Sequence, residues 1–215
     1  MYKKIINLIY PNICGICGEK INERYTCGKC LNILEYYQGM VYLPRENIDY
    51  YDKVFSGFKY QGMLKIKMLQ FKFRDNKYIA KTFGEIASLM IKKYNLTADL
   101  IIPVPISKKR LLERGYNQSE YIARYASKLS GIGIKNDILF KIKDNLRQSD
   151  LDKQNRLKNV DGVYCVKNNK QIIDKKVILI DDIFTTGATI NECAKVLKNA
   201  GAREIIVITI LYSCK

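Results

Sequence analysis

Histidine is absent from all 215 residues of this chain. Imidazole acid–base chemistry is therefore excluded, and any proton transfer falls to a carboxylate, a Lys, a Tyr or the substrate itself. No run of about 18 apolar residues occurs, so no membrane-spanning helix is expected. The opening MYKKIINLIYPNIC lacks a long apolar stretch and a small-residue cleavage site. A secretory signal is thus not expected, and the chain reads as cytoplasmic. There is no internal repeat and no low-complexity tract. Acidic residues are scarce, 21 against 37 Lys and Arg, for a net charge of +16.

That excess is uneven. Residues 1–50 carry a net +1 and residues 51–215 a net +15. A basic larger part favours polyanionic partners such as nucleic acid, nucleotides, phosphosugars or an acidic membrane surface. A Lys-rich compositional bias, alongside many Ile, Asn and Tyr, accounts for the charge equally well. Apolar residues make up 47% of the chain, enough for one ordinary domain with a small appendage.

Four of the seven cysteines fall within 17 residues, as Cys14-Gly15-Ile16-Cys17 and Cys27-Gly28-Lys29-Cys30. Zinc takes four thiolates in a tetrahedron, and two tight turns supply two each. Gly15, Gly18 and Gly28 let the backbone fold around the ligands, and Ile21–Thr26 is expected to form a short hairpin between the pairs. Such a site closes its own coordination shell, so it is structural and stabilises a segment too small to fold alone. The reading that competes is two redox dithiols or disulfides. Cys165, Cys193 and Cys214 have no matching partners nearby and read as bystander thiols.

Further along, apolar strands alternate with helical patterns. Strands are expected at Val54–Tyr60, Leu100–Val104, Leu139–Ile142, Val177–Ile180 and Ile205–Leu211. Helices are expected at residues 2–9, Met63–Phe73, Ile79–Tyr94, Asn117–Leu129 and Thr189–Asn199, with Gly131 and Gly201 closing the last two. Tyr36–Tyr51 reads as a connection, and Ser149–Asn159 as a polar loop with helical content. Alternation of this kind predicts an α/β fold, a mostly parallel sheet covered on both faces. Ligands bind such sheets at the carboxyl ends of the strands.

Asp181 and Asp182 fall at such an end, within VILIDDIFTTGAT. Adjacent buried carboxylates repel each other and need a cation or hydroxyls to satisfy them. The following Thr185-Thr186-Gly187-Ala188-Thr189 opens a helix. Its bare N–H groups, hydroxyls and helix dipole make a phosphate cradle. Two carboxylates a few residues before such a cradle match a ribose 5-phosphate, with Mg²⁺ as a further partner of the acids. The string resembles the phosphoribosyl diphosphate (PRPP) motif of type I phosphoribosyltransferases, with Phe184 where an aliphatic is more usual. The resemblance implies that fold. It also implies PRPP binding by Asp181, Asp182, Thr185, Thr186, Gly187, Ala188 and Thr189, with the two acids as the catalytic candidates.

PVPISKKRLLERGYNQSEYIA (Pro103–Ala123) and RQSDLDKQNRLKNVDGVY (Arg147–Tyr164) extend the likeness. Together with the cysteine pairs and a Lys-Phe-containing segment, they resemble the ComF family, in which a cysteine knuckle precedes a phosphoribosyltransferase domain. The likeness covers about residues 10–215. It divides the chain into a zinc-knuckle module with its connection, 1–45, and a phosphoribosyltransferase-like domain, 46–215. Lys108, Lys109 and Arg110 follow a strand end where a diphosphate needs cations. Arg114, Asn117 and Gln118 open a helix and offer planar donors. Arg147, Gln148, Lys153, Gln154 and Arg156 take, by resemblance, the place of the flexible loop that closes over the reacting centre.

Two functions stay open. ComF-family proteins are linked to natural competence, which implies DNA uptake, single-stranded DNA binding and partners such as the DNA-uptake helicase. Any association with the inner face of the membrane would run through those partners. Phe58, Tyr60, Phe71, Phe73 and Tyr78 lie among eight basic residues between Lys53 and Lys81, a pattern that suits stacking and backbone neutralisation of a single strand, although Phe71 and Phe73 also suit a core. The alternative is a salvage-type phosphoribosyltransferase acting on a nucleobase-like acceptor, with no DNA role. Whether the pocket turns over, and on what acceptor, stays undetermined because a fold and a motif do not fix an activity.

Overall fold

A computed structural model describes residues 12–22, 24–36, 40–42, 49–74, 76–143 and 162–213. In chain order the elements are α1 (Gly28–Tyr36), β1 (Met40–Tyr42), β2 (Lys53–Lys59), α2 (Gly62–Phe73), α3 (Ile79–Lys93) and β3 (Leu100–Pro103). There follow α4 (Lys108–Arg114), α5 (Gln118–Ser130), β4 (Leu139–Lys141), β5 (Tyr164–Val166), β6 (Lys176–Phe184), α6 (Ala188–Asn199) and β7 (Glu204–Tyr212).

Five strands form the central sheet in the order β1-β2-β7-β6-β3. β2, β7, β6 and β3 run parallel, and β1 joins the edge antiparallel to β2. Both faces of this sheet are covered, which is why its strands read as continuous apolar runs. Along β6, Ile178 and Ile180 pack with Phe83, Ile122 and Ala126 of α3 and α5. The alternate residues Val177 and Leu179 pack with Ile190, Cys193 and Leu197 of α6. All these side chains are at most 3% exposed. β4 and β5 form a separate antiparallel pair.

Among the described residues the expected strands and helices are present, most with boundaries shifted by a residue, but several details differ. Tyr36–Tyr51, read as connection, contributes β1. α4 and β5 were not expected. No hairpin forms at Ile21–Thr26 among the described residues. The antiparallel bridge joins Ile13 to Lys20 instead, wrapped around the first cysteine pair, and the second pair opens α1. β6 continues beyond Ile180 through both aspartates, and its pairing with β7 runs on to Phe184 opposite Tyr212. The expected helix at residues 2–9 and the Ser149–Asn159 loop lie outside the described residues.

Candidate phosphoribosyl pocket and cysteine cluster

The carboxyl end of β6 opens into a cavity of about 510 Å³. Asp181 and Asp182 sit side by side on that strand, where successive side chains point to opposite faces. They therefore meet different neighbours. Asp181 Oδ1 accepts from Ser119 Oγ of α5 at 2.8 Å and from the Asp182 N–H at 2.9 Å. Asp182 Oδ2 lies 2.6 Å from Lys72 Nζ, which reaches across from the last turn of α2. Burial, then the Asp182 charge, lifts the Asp181 carboxyl to about 7, against the pull of the Ser119 hydroxyl. The Tyr60 phenol is also raised, first by burial and then by Asp182.

Arg114 lies beside the acids. Burial lowers its guanidinium from the ordinary value while Asp182 works against that shift. Its Nη1 donates to Gln118 Oε1 at 3.0 Å, and its Cζ lies over the Phe73 ring, 5.1 Å from the ring centre. Thr185, Gly187, Ala188 and Thr189 line the same cavity. Gly187, with φ 77°, caps α6 without a side-chain hydrogen bond, and the first turn of α6 holds no acid. A Cβ there would stand 3.1 Å from the Phe184 ring. The first N–H groups of α6 thus meet the cavity with their partial positive charge. Tyr164 of β5 closes the wall and hydrogen-bonds Thr189.

The other expected site residues divide. Arg110, Arg114 and Gln118 line the cavity, whereas Lys108 and Lys109 are exposed and do not. Asn117 is consumed structurally. Its Oδ1 accepts from the Ser119 N–H at 3.1 Å, capping α5, and its Nδ2 donates to the Val104 carbonyl at 3.0 Å. Thr186 Oγ1 accepts from the Ala188 N–H at 3.4 Å rather than facing the cavity. Arg147, Gln148, Lys153, Gln154 and Arg156 lie outside the described residues. Lys72, Ser119 and Tyr164 were missed by sequence reasoning. All three fall in stretches that carry the family likeness, the Lys-Phe segment, Pro103–Ala123 and Arg147–Tyr164, but those stretches gave none of them a role. The carboxylate oxygens suit a hydrated Mg²⁺, but Asp182 Oδ2 already holds an ammonium.

Of the aromatics expected to stack on a strand, Phe58 and Phe71 belong to the core. Tyr60 and Tyr78 are half-buried, and Phe73 stands 67% exposed at the cavity rim.

The four cysteine sulfurs, Cys14, Cys17, Cys27 and Cys30, lie within 4.8 Å of one another and can hold a metal ion. Tetrahedral zinc with bonds of about 2.3 Å places its sulfurs about 3.8 Å apart, close to the 3.6 Å between Cys17 and Cys27. Burial raises the Cys14 thiol, but N–H donation from Cys17, Cys27 and Ile16 outweighs it and brings it down to about 7. The cluster is fastened to α3. The Gly15 N–H donates to Thr82 Oγ1 at 3.0 Å, and the Tyr25 N–H to Glu85 Oε2 at 3.1 Å. A Cβ at Gly15 would stand 2.5 Å from that hydroxyl, so only glycine allows the approach.

Residues 121–213 match the family model described as phosphoribosyl transferase domain. With the parallel sheet and its flanking helices, this defines the class: a type I phosphoribosyltransferase fold, preceded by four close cysteines. Two curated relatives match nearly the whole chain. Competence protein ComFC of Bacillus subtilis is 30% identical over 210 residues, 95% of this chain and 80% of that protein. Competence protein F of Haemophilus influenzae is 29% identical over 208 residues, 94% of this chain and 91% of that protein. The chain belongs to the ComF/ComFC family. Among solved structures, the glutamine PRPP amidotransferase from B. subtilis aligns at 17% identity with a TM-score of 0.45, over 65% of this chain and 30% of that one.

Proposed function

We propose that this chain is a competence protein acting in DNA uptake, with a PRPP-binding pocket at the carboxyl end of β6 and a structural zinc ion at the cysteine cluster. The observation that carries the pocket is the juxtaposition, in one cavity, of the acid pair and the N-terminus of α6 behind Gly187. Thr185, Gly187, Ala188 and Thr189 hold the 5-phosphate on N–H groups and hydroxyls. Asp181 and Asp182 hold the ribose hydroxyls, and Arg110, Arg114 and Lys72 face the diphosphate. Mg²⁺ arriving with the diphosphate would supply charge neutralisation of the leaving group. The chain's own residues orient the sugar, and Phe73 and Tyr164 narrow the cavity against water. Residues 1–45 brace the molecule through zinc, and residues 46–215 carry the pocket.

The DNA role draws on the relatives, both named competence proteins, and on the +15 charge of residues 51–215. Single-stranded DNA is then held mainly through its phosphates, because, of the five aromatics, Phe58 and Phe71 are core, Tyr60 and Tyr78 are half-buried, and Phe73 alone is exposed. The protein works on the cytoplasmic side and reaches the membrane through partners such as the uptake helicase.

Calorimetric titration with PRPP and Mg²⁺ tests the pocket. Wild type binds, and an Asp181→Asn/Asp182→Asn double variant loses at least about tenfold in affinity. Wild type without measurable PRPP binding overturns the pocket reading. A labelled oligo-dT tests the DNA role. Its affinity falls steeply between low and moderate salt, with a slope set by the number of phosphates neutralised. Salt-independent or absent binding removes that half.

A further inference from the structure

Lys72 and Asp182 form an ion pair inside this pocket. Lys72 Nζ stands 2.6 Å from Asp182 Oδ2, and the two side chains are only 17% and 13% exposed. The guanidinium of Arg114 acts on the same carboxylate. Asp181 has its own donors, the Ser119 hydroxyl and the Asp182 N–H. The two acids therefore face two cations and two hydrogen-bond donors before any ligand enters.

A divalent ion approaching such a pair must displace an ammonium held at contact distance and then sit beside a guanidinium. Both are opposed by like-charge repulsion in a site screened from water. An anionic phosphate ester changes the balance. It offers the Lys72 ammonium, on its flexible stem, a second set of oxygens to swing to. That frees Asp182 Oδ2 for the sugar hydroxyls or for a metal entering with the ligand.

We infer that Lys72 is a built-in cation of the pocket that occupies Asp182 in the free protein and keeps divalent metal out until a phosphoribosyl ligand draws it away. This rests on the reading of the acid pair as the sugar- and metal-facing part of a phosphoribosyl pocket. Lys72 is a positioning residue in the free protein and a ligand contact in the filled one. It comes from α2, outside the 121–213 region of the family match, so the pocket is incomplete without the chain that precedes that region.

Mn²⁺ serves as the probe, with binding read from the loss of the free-ion resonance in electron paramagnetic spectra of ligand-free, zinc-loaded protein. Lys72→Met gains a Mn²⁺ site at least about tenfold tighter than anything wild type shows, and the gain vanishes in Lys72→Met/Asp182→Asn. Lys72→Arg, which keeps the charge, behaves as wild type. Lys72→Gln gives a second charge-free variant should the methionine form not fold, as judged by circular dichroism. The inference is overturned if the charge-free variant takes up no more Mn²⁺ than wild type, or if wild type already binds as tightly. The same samples titrated with PRPP report on the ligand reading by itself. Mn²⁺ gain without PRPP binding to wild type defeats the ligand and leaves the metal gate standing. PRPP binding without Mn²⁺ gain defeats the gate alone.

Discussion

At Asp181 two opposed influences leave a carboxyl near neutrality. Burial and the Asp182 charge raise it from 3.8 to about 7, and the Ser119 hydroxyl and Asp182 N–H hold it from rising further. In a chain without histidine, this is a carboxylate in the range a general base needs at neutral pH. The shift also has a sign for stability. Between about pH 4 and pH 7 the folded state keeps a proton that the unfolded chain has released, so unfolding becomes easier as pH rises through that window. Asp181→Asn removes the titration. In urea melts at pH 5 and pH 8, wild type loses on the order of 2 kcal/mol between the two conditions relative to the variant. Equal pH slopes in both proteins would remove the assignment. The acid pair was legible in the sequence because adjacency and the following glycine turn are local features. Lys72 was not, because it meets Asp182 across 110 residues of chain and only the fold brings them together. Asn117 has a second role that its position did not announce. The planar amide that could read a phosphate is equally the group that caps a helix, and here it caps α5.

α3 and α5 pack with their backbones nearly touching, and Gly84 is what allows it. A Cβ at Gly84 would stand 2.3 Å from the Tyr125 Cβ and 2.9 Å from the Ile122 carbonyl oxygen. α5 carries Ser119 in its first turn, so this helix contact also sets where the Asp181 partner lies. Gly84→Val pushes the two helices apart and destabilises the protein by about 2–4 kcal/mol, read by urea unfolding. The displaced Ser119 weakens PRPP binding in the same variant. Destabilisation under about 0.5 kcal/mol would show that the helices can separate freely. Among the elements, those buried on both sides were the readable ones. β3, Val177–Ile180 of β6 and Ile205–Ile208 of β7 are unbroken apolar runs, and α3 and α5 show one clear apolar stripe. β1 escaped because a three-residue edge strand leaves too short a pattern. α4 escaped because its seven residues bury no side chain, so no periodicity marks it.

α2 links the two ends of the molecule. Its first turn, with Met63 and Leu64, joins Ile16, Cys17 and Cys30 in lining a cavity of about 760 Å³ beside the cysteine cluster. Its last turn carries Lys72 to Asp182 and Phe73 to the cavity rim. Met63 and Lys72 are nine residues apart, about 14 Å along a helix. A rigid helix of that length transmits a shift at one end to the other, and α2 has few other anchors. Only Met68 and Phe71 are buried, while Met63, Ile66, Leu69 and Phe73 are at least 39% exposed. On the proposed reading of the cluster as a zinc site, metal removal is expected to have two effects. Stripping zinc with a chelator leaves four thiols crowded beside α3, and the fastening of Gly15 to Thr82 and of Tyr25 to Glu85 weakens. The melting temperature falls by about 10 °C, the equivalent of about 3 kcal/mol at this chain length. Because α2 loses one of its supports, PRPP affinity falls as well, by about threefold to tenfold, although no pocket residue has been touched. Scanning calorimetry and PRPP titration on the same stripped sample, repeated after zinc is restored, measure both. A fall in melting temperature with unchanged PRPP affinity would make the cluster a local brace only. A fall in both that zinc reverses makes α2 the element that connects the metal end of the molecule to its ligand end.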